Sequence, residues 1–275
     1  MKFTKITALY FSGTGTTEKI VKSLSEHLSR ELELSAECFD FTTPQAREAE
    51  QKFGQDELVI VGVPVYAGRV PNVLLPYLKG KLCGGGALAI PVVLYGNRNF
   101  DDGLIELRNV LEEDGFRTVA GAAFIGEHSF SRTLAAGRPD SDDLAVLVQF
   151  ADAAAEKLRA LDAAPETPVT VRGEDPIRPY YTPRDRKGNP VNILKVKPLT
   201  DLEKCTQCGI CAALCPMGSI DKEDASIITG ICIKCCACVK KCPQNAKYYT
   251  DEKYLYHQHE LEEGFARRAE PEWFV

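Results

Sequence analysis

The chain has 275 residues, a formal net charge of −6 and a hydrophobic content of 44%. This is enough apolar material for two modest domains, whereas the acidic balance argues against nucleic acid or an anionic membrane as the main partner. The short N-terminal apolar run lacks the features of a signal peptide, and no stretch is long enough to span a membrane. We therefore expect a cytoplasmic protein whose cysteines stay reduced.

The first 160 residues alternate between predicted strands and helices. Strands are predicted over residues 4–11, 35–41, 58–65, 87–95 and 117–125. Helices are predicted over residues 18–34, 71–82, 101–113 and 141–161, and the polar stretch 42–53 fits either a helix or a loop. This alternation implies an α/β fold with five parallel strands covered on both faces, which matches the doubly wound, flavodoxin-like class.

Three loops follow strands at the sheet edge where open parallel sheets bind ligands. The glycines of the first loop let the backbone close around an anion, and its hydroxyls and the N–H groups at the helix start can bind a phosphate. No lysine follows, so this is not a Walker loop. A dinucleotide site is an alternative because Asp40 ends the second strand, but Glu18 or Lys19 stands where the third small residue is needed. The loop consists of Ser12, Gly13, Thr14, Gly15, Thr16 and Thr17.

The second and third loops each offer an aromatic side chain to cover a flat ring and a glycine for close backbone approach. Either loop alone is equally consistent with an ordinary strand-to-helix turn, but three suitable loops at these strand ends predict a bound flavin. The second loop contains Pro64, Tyr66, Ala67, Gly68 and Arg69, and the third contains Tyr95, Gly96, Asn97, Arg98 and Phe100.

His128 follows the fifth strand, near the predicted edge of the flavin. It is the candidate catalytic residue, since it could donate a proton or a hydrogen bond to the ring or to a substrate. The alternative is a histidine that only orders its own loop. We expect His27 to be solvated, and His257 and His259 have no metal-ligand context.

The rest of the chain divides into three further parts. Residues 163–197 are rich in proline and charge, which predicts an extended connector between residues 1–162 and a cysteine module over residues 198–250. Residues 251–275 form a charged tail that ends in Trp273-Phe274. These two aromatics could dock within the chain or on a partner, and we favour docking within the chain.

The cysteine module contains C-x2-C-x2-C-x3-C-P twice, with an offset of 27 positions. Thiolates favour iron–sulfur clusters, and in two-cluster ferredoxins the fourth cysteine of each run binds the other cluster. Gly218 and Asn245 follow at equal offsets, and both residue types tolerate a left-handed backbone. The predicted ligands are Cys205, Cys208, Cys211 and Cys242 for 4Fe–4S cluster I, and Cys232, Cys235, Cys238 and Cys215 for 4Fe–4S cluster II.

Other uses of the cysteines fit the spacing less well. A zinc site needs two separated C-x2-C pairs, and a disulfide framework needs a secreted context. A radical-enzyme cluster would need C-x3-C-x2-C, but Gly218 stands where its last cysteine would fall. Cys236 interrupts the repeat, and we expect a packed thiol there rather than a redox thiol or a swapped ligand. Cys38 and Cys83 are expected to be core or loop thiols.

The segments SGTGTTE, VPVYAGRVP and YGNRNFDD are similar to the FMN loops of flavodoxins. Together with the C-terminal cysteines they make the chain resemble a bacterial and archaeal family of flavodoxin–ferredoxin fusion proteins. The resemblance covers about residues 1–160 and 198–250. It implies FMN rather than FAD, with ring contacts from Tyr66–Arg69 and Tyr95–Phe100. It also implies phosphate contacts from Ser12, Thr14, Gly15, Thr16 and Thr17.

These features predict an electron-transfer iron–sulfur flavoprotein that couples one-electron clusters to FMN. It would relay electrons between a ferredoxin-like donor and a partner protein or acceptor. One alternative is an FMN-dependent reductase of a small organic substrate, fed through the clusters. Another is a redox sensor or assembly partner that works through the tail.

Overall fold

A computed structural model describes residues 1–275 of the protein. The N-terminal part contains strands and helices in alternation, interrupted by a short 3-10 turn at Gln45–Arg47. Its elements are β1 (Lys5–Tyr10), α1 (Thr16–Leu32), β2 (Ser35–Asp40), β3 (Gln51–Lys52), β4 (Glu57–Pro64), α2 (Leu75–Lys81), β5 (Leu82–Cys83), β6 (Leu88–Tyr95), α3 (Gly103–Glu113), β7 (Arg117–Thr118), β8 (Gly121–Ile125) and α4 (Ser141–Ala160).

The main sheet has the strand order β2-β1-β4-β6-β8, and all of these strands are parallel. Counted as five consecutive units this is the order 2-1-3-4-5, which defines the flavodoxin-like fold. The predicted fold class is therefore confirmed. The carboxyl ends of β1, β4 and β6 are neighbours, so the three loops that follow them meet at one edge of the sheet.

Alternate residues of β4 face opposite sides of the sheet, as the two-residue period of a strand requires. Val59, Val61 and Val63 join the core that α2 and α3 cover. Leu58 and Ile60 join the core that α1 and α4 cover. Both faces are dry, which explains why the strand reads as a continuous apolar run rather than as an alternation.

Two predicted elements differ in their bounds. The second helix begins at Leu75 rather than near residue 71, because residues 71–74 form a turn and Pro76 lies in the first helical turn, where its missing N–H costs nothing. The fifth strand is divided into β7 and β8, since Val119 and Ala120 leave the ladder between them.

The C-terminal part adds small elements and returns to the sheet. The cysteine module contains β9 (Leu199–Thr200), α5 (Ile210–Ala213), α6 (Ala237–Lys240) and β10 (Lys247–Tyr248), and β9 pairs with β10 in antiparallel fashion. After it come α7 (Glu252–Gly264) and β11 (Glu272–Phe274). β11 pairs antiparallel with β8 and extends the main sheet.

The segment predicted as a charged tail is thus folded, and its aromatic pair docks within the chain. The ring of Trp273 packs on Phe150 of α4 at 6.1 Å between centroids, and Phe274 packs against the core on the other face. The connector has no regular structure but is held as well: Val169 and Val171 are buried, and Arg178 pairs with Asp102. The segments on both sides of the cysteine module are therefore packed against the N-terminal part of the chain.

Candidate functional site

The first loop is shaped by Ser12. Its Oγ accepts hydrogen bonds from the N–H groups of Gly15 and Glu18, both at 3.1 Å, and its own N–H donates to Thr42 Oγ1 at 2.8 Å. Gly15 has φ 98° and leads directly into α1. The N–H groups of Thr16 and Thr17, at the start of α1, have no partner within the helix, so they are available to an anion. Ser12 and Gly15 frame the loop, whereas Gly13, Thr14, Thr16 and Thr17 line a cavity.

The second loop is a tight turn of the I′ type. Ala67 and Gly68 have φ values of 51° and 78°, and Tyr66 and Arg69 exchange backbone hydrogen bonds of 2.9 and 3.2 Å. Pro64 and the turn residues Tyr66–Gly68 line the cavities described below. Arg69 points elsewhere, because its guanidinium binds both oxygens of the buried Glu106 at 2.6 and 2.7 Å.

In the third loop, Tyr95, Gly96 and Arg98 lie at the cavities but Asn97 and Phe100 do not. Asn97 is 2% exposed, and its amide binds backbone groups of the C-terminal segment instead. Phe100 is fully buried in the core. The loop therefore presents its backbone and Arg98 to the cavity and uses its other side chains to fix itself.

His128 lies over the third loop, so close to Gly96 that a Cβ there would collide with the imidazole ring. Its Nδ1 accepts a hydrogen bond from the N–H of Phe130 at 3.1 Å, and its ring meets the Phe130 ring edge-on. Burial, together with smaller effects of the nearby His257 and Lys240, lowers the pKa of His128 to about 3. The residue is thus a neutral imidazole at the cavity wall.

The three loops and His128 border two adjoining cavities, a larger one of about 240 Å³ and a smaller one of about 70 Å³. The remaining wall of the larger cavity was not predicted from the sequence. It comes from the connector (Tyr181, Pro183, Ile193, Leu194), the second cysteine run (Ile233, Lys234) and α7 (His257, Leu261). These residues show no motif or period.

The cysteines gather in two groups. Cys205, Cys208, Cys211 and Cys242 line one small cavity, and Cys215, Cys232, Cys235 and Cys238 line another. Each group draws three members from one run and the fourth from the other run. Backbone N–H groups four positions after the fourth cysteine of each run point at its Sγ, from Ser219 to Cys215 at 3.4 Å and from Ala246 to Cys242 at 3.3 Å.

The turns behind these cysteines also follow the repeat. Gly218 and Asn245 have φ values of 58° and 49°, so the prediction that both positions take a left-handed backbone is confirmed. Cys236 borders the second cavity too, but its Sγ lies 3.4 Å from the hydroxyl of Tyr254 and is 2% exposed. Cys38 and Cys83 belong to neither group.

The second cysteine group adjoins the first loop. A Cβ built on Gly13 would lie 3.3 Å from Cys235 Cβ and 3.7 Å from Cys235 Sγ. Cys235 also lines the smaller cavity together with Thr14 and Thr16. In contrast, Cys208 of the first group is exposed to solvent. The two groups therefore lie in different surroundings, one against the cavity and one at the surface.

Comparison with known proteins agrees with this arrangement. Residues 197–243 match the family model of a 4Fe-4S dicluster domain. The chain is 40% identical over 68 residues to the pyruvate synthase subunit PorD of Methanothermobacter marburgensis, which is 25% of this chain and 83% of that subunit. A flavodoxin from the domain Archaea aligns with 56% of this chain and 99% of its own at 13% identity and a TM-score of 0.38. A Streptococcus pneumoniae flavodoxin aligns with 55% and 98% at 19% identity and a TM-score of 0.38.

The two structural likenesses are too distant to add to the strand order, which establishes the N-terminal fold by itself. The match to the dicluster model and the relative establish the cysteine module as a ferredoxin-type domain, which we name the ferredoxin half although it is about a quarter of the chain or less.

The chain belongs to the flavodoxin–ferredoxin fusion family.

As a member of this family the fusion protein carries iron–sulfur chemistry and serves electron transfer. None of its helices combines the length and the apolar character that crossing a bilayer requires.

The residues of the fusion protein fit the groups that its family implies. Each cysteine group offers four thiols, the donor set that a cubane cluster takes, and N–H groups directed at sulfur stabilise its negative charge. The smaller flavin-side cavity offers three threonine side chains at a helix N-terminus, a donor set for a phosphate. Burial raises the pKa of the Tyr66 phenol well above its ordinary value, so the Tyr66 side chain stays uncharged.

Proposed function

We propose that the fusion protein is an electron-transfer iron–sulfur flavoprotein with two 4Fe–4S clusters and one FMN. It relays electrons between a ferredoxin-like donor and a partner protein or acceptor. When bound, each cluster supplies one-electron chemistry, and FMN supplies both one-electron and two-electron chemistry. The observation that carries the proposal is the position of Cys235, which lines the flavin-side cavity and also belongs to the second cysteine group.

The proposed ligands follow the two cysteine groups. Cys205, Cys208, Cys211 and Cys242 hold cluster I, and Cys215, Cys232, Cys235 and Cys238 hold cluster II. The crossed membership of the two cavities supports this assignment. Thiolate ligands must stay reduced, so we propose that the protein acts in the cytoplasm.

The proposed FMN site places the phosphate at the first loop and the ring at the larger cavity. Thr14, Thr16 and Thr17 bind the phosphate with the N–H groups of the first turn of α1, on the frame that Ser12 and Gly15 provide. The backbone of the second and third loops contacts the ring. The neutral His128 offers a hydrogen bond from its free nitrogen rather than a positive charge.

A redox protein is the proposed partner. The ferredoxin half is similar to a subunit of pyruvate synthase, which supports a large oxidoreductase as one class of donor or acceptor. Near the first cysteine group two large apolar side chains are exposed, Leu202 at 67% and Ile210 at 39%. They support this part of the surface as the place where another protein would make contact.

The alternative activity, reduction of a small organic substrate at the flavin, has one observation in its favour. His128 and Arg98 both line the larger cavity, where they could bind an acceptor. However, the connector, the second cysteine run and α7 cover this cavity, and such a cover favours relay over turnover of free substrates. The sensor hypothesis loses its free tail, because β11 is part of the sheet.

The test is to purify the protein anaerobically and to count iron, sulfide and FMN. About eight iron atoms and about one FMN per chain are expected for two four-iron sites and one flavin. Reduction by NADH, NADPH and reduced ferredoxin should then be followed by absorbance, with reduced ferredoxin as the effective donor. Iron near four per chain, or no flavin after reconstitution, would contradict the proposal. Rapid turnover of a small acceptor without a protein partner would favour the reductase.

A further inference from the structure

The buried Asn97 connects the third flavin loop to the C-terminal segment. Its Nδ2 donates to the carbonyl oxygens of Phe265 and Arg267, both at 2.6 Å, and its Oδ1 accepts from the N–H of Ala269 at 3.2 Å. A fourth hydrogen bond of the amide comes from Arg138, which donates to the same Oδ1 at 3.4 Å. All four hydrogen bonds of this amide are directed away from the cavity, and three of them join residues 168 to 172 positions later in the chain.

The segment that Asn97 binds is anchored at further points. Arg138, buried and paired with Asp143, donates to the carbonyl of Ala269 at 2.7 Å. Arg268 forms a two-point contact with Asp140 at 2.7 and 2.9 Å. Beyond these contacts β11 joins the sheet, and Trp273 packs on α4. Residues 265–274, which we name the C-terminal strap, are therefore held in place by several contacts besides those with Asn97.

On the loop side, Asn97 is the central residue of the part that faces the cavity. Its neighbours Gly96 and Arg98 both line the larger cavity, and the N–H of Arg98 donates to the carbonyl of Gly96 at 2.9 Å across it. The φ of Asn97 is 69°, a left-handed conformation that costs free energy for any residue with a Cβ. The contacts with the strap hold the loop in this shape.

We propose that Asn97 is a positioning residue, through which the C-terminal strap sets the third loop in the conformation that binds FMN. The inference rests on the proposed FMN site. It departs from the family-based expectation, in which Asn97 itself would contact the ring. The strap, at the far end of the chain, thus becomes part of the flavin-binding apparatus although it contributes no atom to the cavity.

The test compares FMN dissociation constants of full-length variants, measured by titration of flavin fluorescence. Asn97→Gly removes the amide but keeps a residue that accepts the positive φ, so backbone strain does not confuse the result. Loss of these buried hydrogen bonds should weaken FMN binding about tenfold or more. Trp273→Ala loosens the strap far from the cavity and should weaken FMN binding less. The double variant should show less than the sum of the two effects, because both act through the same contact.

Asn245→Gly is the matched control, since it replaces the same residue type in the same left-handed backbone but in the ferredoxin half. It should leave the FMN dissociation constant unchanged. Iron content and the thermal unfolding midpoint of each variant report a merely structural effect, which would lower FMN binding only in proportion to lost folding. If the wild-type protein binds FMN and Asn97→Gly binds it equally well, the inference is wrong while the proposed function stands. If the wild-type protein binds no FMN, both fail.

Discussion

The two cysteine groups of the ferredoxin half come from one repeated motif, yet they lie in different surroundings. The first group has the exposed Cys208, and Leu202 and Ile210 near it are exposed as well. The second has the buried Cys235 beside Gly13, and a stacked pair of Tyr249 and Tyr254 close to Cys232 and Cys236. The repeat determines how four thiols converge, whereas the rest of the chain decides what each group faces. Under the proposed function, the first group would exchange electrons with outside partners and the second group would exchange electrons with the flavin.

Serine substitution of the fourth cysteine in each run should break this comparison most strongly. Because each cysteine group takes its fourth cysteine from the other run, Cys215→Ser should remove cluster II and Cys242→Ser should remove cluster I. Each variant should retain about four of about eight iron atoms. Iron and sulfide counts with electron paramagnetic resonance would identify the remaining cluster. Only Cys215→Ser should leave an exposed cluster that still exchanges with outside donors but reduces bound FMN very slowly. The opposite pattern would overturn the crossed assignment.

Exposure should also separate the clusters in the wild-type protein. A thiolate open to water is the point at which oxidants reach a cluster, so cluster I should be lost severalfold faster than cluster II. The measurement is the time course of iron release to a chelator in air, which should show two phases of equal size. FMN content should stay constant during the first phase. A single phase would show that burial of the second group gives no protection.

A methyl group at Gly13 tests the contact between the first loop and the second cysteine group. In Gly13→Ala the new Cβ would lie 3.3 Å from Cys235 Cβ, so one of the two segments must shift by a few tenths of an ångström. We expect a few-fold slower reduction of bound FMN and little change in iron content. Gly80→Ala is the control, because a Cβ there meets nothing within 4 Å. Stopped-flow absorbance measures the rate, and equal rates in both variants would show that the contact is not needed.

The smallest expected effect concerns the flavin side alone. The folded protein holds the pKa of His128 at about 3, below the ordinary value of 6.5, because the ring is buried. The unfolded chain therefore binds a proton that the folded chain does not, over the range between these values. The contribution of His128 to stability is therefore fully present above pH 6.5 and should be lost progressively as the pH decreases below it. In His128→Gln this fall should be shallower, as measured by anaerobic urea unfolding at several pH values. An equal slope would mean that His128 is not held neutral.

The sequence predicted what depends on local pattern. Eight spaced cysteines indicate their own grouping, and apolar runs such as Leu58–Val63 indicate buried parallel strands. The loops were located because strand ends meet at one edge of the sheet. The position of the loops predicts that Arg69 and Asn97 contact the flavin. Loop position does not show, however, which way a side chain points. A partner far along the chain decides this, Glu106 in one case and the strap in the other.

The strand β11 and the packing of the connector were also beyond sequence reasoning, although docking of Trp273-Phe274 within the chain was expected. β11 has only three residues, too few for a period, and its pairing with β8 depends on the path of the whole chain. The connector reads as an extended spacer, but Val169 and Val171 bury their side chains and Tyr181 lies under the guanidinium of Arg98. Irregular segments that pack on a surface leave no repeating signal.

The origin of the cavity wall has a consequence for biogenesis. The three loops are synthesised within the first 100 residues, but the wall opposite them includes Ile233 and Lys234, which belong to the second cysteine run. That run takes its shape around a cluster, so iron and sulfide supply would decide when the wall is complete. A chain made under iron starvation would present an open pocket. In a chain that receives its clusters, the flavin would have to enter before cluster insertion completes the wall. The order of cofactor insertion would thus be set by the order in which the wall is built.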